Sequence, residues 1–85
     1  MEFKGKVVIV TGGSSGIGAA TAWALAERGA EIAVVASNSV ARAAAVTEKI
    51  NADGGRAVPF VADVRDEKSV QRLFRDVEAM FGGVD

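Results

Sequence analysis

Eight consecutive residues of this 85-residue chain, Thr11-Gly12-Gly13-Ser14-Ser15-Gly16-Ile17-Gly18, have the types and spacing to hold a phosphate group. They follow the apolar run Val7-Val8-Ile9-Val10 and lead into Ala19-Ala20-Thr21-Ala22-Trp23-Ala24-Leu25-Ala26. The first run reads as a strand buried on both faces, the second as a helix. A strand, a glycine-rich turn and a helix in that order make an anion cradle. Glycine backbone adopts φ > 0 and admits a ligand where a Cβ would collide. The helix then aims its free N–H groups and the positive end of its dipole at the turn, where a pyrophosphate can sit. The spacing is Gly-x-x-x-Gly-x-Gly, not the Gly-x-Gly-x-x-Gly of the commonest dinucleotide loop. No Lys-Ser or Lys-Thr pair follows the last glycine, which excludes a P-loop. Ser14 and Ser15 offer hydroxyl donors to a ligand, or alternatively serve only to stabilise the turn.

Absent residue types narrow the chemistry further. The chain has no His and no Cys, so imidazole catalysis, thiol nucleophiles and zinc sites of the usual type are excluded. It also has no Tyr, and with it no phenol for acid–base work.

The elements that must position the cradle alternate along the chain. Lys6 to Val10 is the first strand, and a helix follows from Gly16 to Arg28 with Ile17, Ala20, Thr21, Ala24 and Leu25 as its inner stripe. Trp23 lies off the centre of that stripe and reads as packing. Gly29 has the character of a left-handed helix terminator. Glu31 to Ala36 forms the second strand, and Ser37-Asn38-Ser39 a polar turn that caps a helix from Val40 to Ala52. Ala43, Val46 and Ile50 face inward there, and Asp53-Gly54-Gly55 stops the helix. Ala57 to Val61 is a third strand, and Pro59 assigns it an edge position because proline cannot donate to a ladder. Asp66 reads as the N-cap of an amphipathic helix carrying Val70, Leu73, Phe74, Val77 and Phe81, ended by Gly82-Gly83. The expected fold is therefore α/β: a βαβαβα portion of a doubly wound parallel sheet, with right-handed crossovers and strand order 3-2-1.

Thr11, Gly12, Gly16, Ile17 and Gly18 meet every fixed position of Thr-Gly-x-x-x-Gly-Ile-Gly, the cofactor loop of the short-chain dehydrogenase/reductase family, which this chain resembles. The resemblance continues through Ala62-Asp63-Val64 and Phe81-Gly82-Gly83-Val84-Asp85. Around Gly29 to Val64 the composition is most like the 3-oxoacyl-carrier-protein reductase branch. The resemblance implies a Rossmann-like fold and hydride transfer between a nicotinamide dinucleotide and a carbonyl or alcohol. It implies cofactor contacts from Gly12, Gly13, Ser14, Ser15, Gly16, Ile17 and Gly18 to the pyrophosphate and adjoining ribose. Asp63 and Val64 resemble the family's adenine-pocket pair, the carboxylate accepting from the amino group and the backbone of Val64 donating. Relatives that prefer NAD place an acid after strand two. Here Ala36, Ser37 and Asn38 carry none, which favours NADP while leaving NAD open. The arginines that often bind a 2′-phosphate are missing from Ser15 and Ser37, and Arg42 is the candidate substitute. The family's catalytic Ser and Tyr-x-x-x-Lys pair have no counterpart in these residues. The expectation is an N-terminal, incomplete dinucleotide-binding portion spanning 1–85, inactive alone.

Composition sets the remaining expectations. Hydrophobic residues make up 49% of the chain, which argues for a folded domain, and the net charge of -1 comes from 10 basic and 11 acidic residues dispersed along it. This gives no footprint for nucleic acid or anionic lipid, and apolar runs are too short for a membrane span. Without a signal-peptide pattern or cysteines, the expected location is cytoplasmic. A full-length relative is expected to be a homo-oligomer. Two other classes compete: a non-catalytic nucleotide-binding module, and a methyltransferase using S-adenosylmethionine, which usually needs an acid closing strand two.

Overall fold

Short runs of β-branched and small apolar residues, each followed by a polar or glycine-containing break and a helix-forming stretch, produce strict alternation. The computed structural model describes residues 4–12, 16–37 and 39–82. The elements are β1 (Val7–Thr11), α1 (Gly16–Glu27), β2 (Glu31–Ala36), α2 (Val40–Ala52), β3 (Arg56–Val61) and α3 (Glu67–Phe81). The expected Gly83, Val84 and Asp85 features lie outside the described residues.

The three strands are parallel, with β2 between β1 and β3. Registers run from Val7 opposite Glu31 to Thr11 opposite Val35, and from Glu31 opposite Arg56 to Ala36 opposite Val61. Parallel neighbours cannot be joined by a tight turn, so each connection carries a helix. Every strand therefore ends at the same edge of the sheet, beside the start of the helix that follows it.

Side chains alternate between two cores. On one face Val10, Ile32, Val34 and Ala36 pack with Ala22 of α1 and Ala43 and Ile50 of α2. On the other, Val7, Ala33 and Val35 pack with Leu73 and Val77 of α3. The central strand is thus covered on both sides, and full burial of Ile32, Val34 and Val35 contributes about 1.5–3 kcal/mol each.

β3 pairs only with β2 among the described residues, in keeping with Pro59. Its other edge is held by one side chain: the Asn51 amide accepts from the Ala57 N–H at 2.8 Å and donates to the Ala57 carbonyl at 3.0 Å. The chain can return from α2 to make this clasp because Gly55 packs against it. A Cβ on Gly55 would lie 2.7 Å from Ile50 Cγ2 and 3.0 Å from the Ile50 carbonyl oxygen.

The inner face of α1 differs from the expected stripe. Ala22 is its fully buried residue, flanked by the partly buried Trp23, Leu25 and Ala26, whereas Ile17 is 86% exposed and Ala20, Thr21 and Ala24 face outward. The helix sequence is apolar almost all round, so its periodicity carries no orientation. Small residues then decide the contact, with Ala22 letting α1 lie close to the sheet. Trp23 packs against that core and donates from Nε1 to Glu27 Oε1 at 2.8 Å. In α2, Thr47 joins Ala43 and Ile50 as a buried residue, and Val46 is partly buried beside them. The Thr47 hydroxyl is accommodated by donation to the Ala44 carbonyl at 3.0 Å.

Candidate functional site

The carboxyl edge of the sheet gathers three loops. Gly12 leaves β1 with φ +68°, a left-handed conformation that glycine adopts without strain, and its N–H donates to the Val35 carbonyl at 3.0 Å. This bond ties the start of the glycine turn to the end of β2. Gly13, Ser14 and Ser15 lie outside the described residues. Gly16 opens α1, and a Cβ built on it meets no heavy atom within 4 Å among the described residues. The first N–H groups of any helix have no partner within it, and here they belong to Gly16, Ile17, Gly18 and Ala19. A left-handed glycine followed by such donors at a helix start is a backbone arrangement suited to an anion.

β2 ends in the same place. Ala36 is 3% exposed and belongs to the core with Ala22 and Ala43, so its side chain cannot read a ribose. Ser37 is exposed just beyond it, and Asn38 lies outside the described residues. The helix cap falls on Ser39, whose side chain makes no capping bond. Arg42 is exposed in the first turn of α2.

The third loop, between β3 and α3, is short and tightly bonded. The Ala62 N–H donates to the Ala36 carbonyl at 3.1 Å, which fixes the loop beside the end of β2. The Asp66 N–H closes a turn onto the Asp63 carbonyl at 3.0 Å, and the Asp63 N–H donates to Ser69 Oγ at 3.0 Å. Asp66 caps α3, as its position before the amphipathic run implied, by accepting from the Lys68 N–H at 3.0 Å. Asp63 is partly buried, while Val64 is 56% exposed. The carboxylate of Asp63 accepts from Arg65 three times: from the backbone N–H at 3.0 Å, from Nε at 3.1 Å and from Nη2 at 3.4 Å. These bonds hold the Asp63 carboxyl below the usual carboxylate range, side-chain bonding to Arg65 being the largest cause.

The structure thus brings Gly12, Gly16, Ile17, Gly18, Ser37, Asp63 and Val64 to loops or helix starts at one edge of the sheet. The sequence reading passed over Arg65 and Ser69. For Arg65 the signal was present in the spacing, since an Asp can bond the backbone N–H two residues on; for Ser69 the local sequence held none. Among the described residues no group of three or more His, Cys, Asp or Glu could hold a metal, and no helix is long and apolar enough to cross a membrane. A cavity of about 380 Å³ between Trp23, Glu27, Ile50 and Gly54 opens at the opposite edge, where chain enters β2 and β3. It shares no residue with these loops.

The family model described as short chain dehydrogenase matches residues 6–85. Elsinochrome reductase 1 of Elsinoe fawcettii is 46% identical over 81 residues, which are 95% of this chain and 30% of that protein. The (-)-isopiperitenol/(-)-carveol dehydrogenase of Mentha piperita is 45% identical over 85 residues, 99% of this chain and 31% of that protein. Among solved structures, a short chain dehydrogenase from Burkholderia cenocepacia in complex with NADP superposes with TM-score 0.91 and 44% identity. That match covers 100% of this chain and 35% of the other. The chain spans about a third of the length of the relatives it matches.

Proposed function

Because this chain belongs to the short chain dehydrogenase family, we propose that it forms the cofactor-binding portion of an oxidoreductase acting on a carbonyl or alcohol. The observation that carries this reading is the meeting of the left-handed Gly12, the start of α1 at Gly16, exposed Ser37 and Asp63 at one edge of a parallel sheet. When bound, a nicotinamide dinucleotide supplies or takes up the hydride. The residues of this chain hold and orient it. The N–H groups of Gly16, Ile17 and Gly18 and the dipole of α1 neutralise the pyrophosphate. Ser37 lies where the adenosine ribose follows, and Asp63 with the Val64 N–H receives the adenine edge.

NADP is the proposed form. No acid stands at Ala36, Ser37 or Asn38 to repel a 2′-phosphate, and Arg42 supplies a cation in the first turn of α2. The NADP in the Burkholderia cenocepacia relative supports the same choice. The absence of Tyr, His and Cys from these 85 residues assigns them to binding rather than to proton exchange with substrate. The 85-residue polypeptide alone is accordingly proposed to be inactive as a reductase. The test is equilibrium titration of the intact protein with NADPH and NADH. Tighter NADPH binding is expected. Tighter NADH binding would overturn the cofactor choice, and no binding of either would overturn the whole reading.

A further inference from the structure

We propose that Arg65 is a positioning residue that sets the Asp63 carboxylate as a reader of the nucleotide base, leaving Oδ2 as the acceptor for a base amino group. The inference rests on the dinucleotide reading given above. Its basis is a count of lone pairs. A carboxylate offers about four acceptor positions, two on each oxygen. Oδ1 of Asp63 uses both of its own, on the Arg65 N–H at 3.0 Å and on Nε at 3.1 Å. Oδ2 receives only the longer Nη2 contact, at 3.4 Å. The remaining acceptor capacity is therefore on Oδ2.

The rest of the loop keeps that oxygen in place. The Asp63 backbone is fixed by its N–H bond to Ser69 Oγ and by the turn closed from Asp66, and Ala62 is anchored to the end of β2. Main-chain bonds thus locate Asp63, and the Arg65 fork sets the plane of its carboxylate. The same pairing keeps the group ionised, so it only accepts. A base amino group satisfies such an oxygen. A base carbonyl at the same point would face it with a second acceptor.

The experiment compares NADPH with its hypoxanthine analogue, in which a carbonyl replaces the adenine amino group. Calorimetric titration of the intact protein gives the affinity ratio for wild type, Arg65→Ala and Arg65→Lys. Wild type should prefer the adenine form. Arg65→Ala should reduce that preference about two- to fivefold, the scale of an exposed ion pair, in a variant that circular dichroism shows to be folded. Arg65→Lys should restore part of it, because lysine supplies the charge without the planar fork. A wild type indifferent to the base would overturn the proposal. So would an Arg65→Ala preference that is unchanged or larger, the latter meaning that the guanidinium competes for the base site. Absence of NADPH binding to wild type would overturn the dinucleotide reading, and this inference with it.

Discussion

A carboxylate placed at Ser37, the exposed residue that follows β2, should convert cofactor preference. Ser37 is exposed immediately after β2, next to the residue whose carbonyl anchors the Ala62 loop. On the proposed cofactor placement, an Asp there would face the ribose 2′ position in bulk-like dielectric. Two unit charges about 4 Å apart in water interact by about 1 kcal/mol, and a phosphate monoester carries close to two charges. The repulsion is then about 2 kcal/mol, or roughly thirtyfold in affinity for the phosphorylated cofactor. Hydrogen bonds from the ribose hydroxyls to the new carboxylate would strengthen NADH binding in addition. The neighbouring site serves as a contrast: Ala36 is in the core, and Ala36→Asp would bury a charge at a cost of several kcal/mol. That variant should fail to fold rather than switch preference. The assay is fluorescence titration of Ser37→Asp with NADPH and NADH at low and high salt. The NADPH penalty should shrink as salt screens the repulsion. Equal weakening of both cofactors, or a penalty independent of salt, would refute the electrostatic reasoning.

Two further outcomes follow from the bonds already described. Asn51→Ala removes both bonds to Ala57, whose backbone is buried at the edge of β3, and should destabilise the protein by about 1–3 kcal/mol in urea unfolding. The Asp63 carboxyl is depressed by Arg65, so its stabilising contribution is present above the ordinary carboxylate pKa and is lost as pH falls through the depressed value. The acid limb of a stability–pH profile should accordingly become shallower in Arg65→Ala, read by urea midpoints across the acid range.

How far the sequence carried the fold depends on what each stretch had to distinguish. The bounds of β2 and α2 were legible because the apolar run Ile32 to Ala36 and the flanking Gly29 and Gly54 delimit them. Thr11 was assigned to the glycine turn, yet it extends β1 by pairing opposite Val35, since a hydroxyl residue at a strand end looks like a turn residue. The face of α1 was not legible, because alanines on every side give no gradient for periodicity to detect. Phe74 illustrates a related limit: it belongs to the apolar stripe of α3 but is 44% exposed at its margin. In the site, the glycine turn and Asp63 were readable as local motifs. The Asn51 clasp and the Arg65 fork were not, because both depend on where a loop brings two backbones together.

The central claim is that the space before Gly16 receives the cofactor pyrophosphate, and Gly16→Val tests it most directly. Gly16 does not have a positive φ, and a Cβ built on it meets no heavy atom within 4 Å among the described residues, so the substitution introduces no backbone strain there. Loss of two charge-assisted bonds from α1 to the phosphates would remove about 3–6 kcal/mol, roughly a hundred- to ten-thousandfold in affinity. The measurement is NADPH titration of the intact Gly16→Val protein, with circular dichroism establishing that it is folded. A folded variant that has lost NADPH binding is the predicted result, and a folded variant that binds NADPH as tightly as wild type would contradict it.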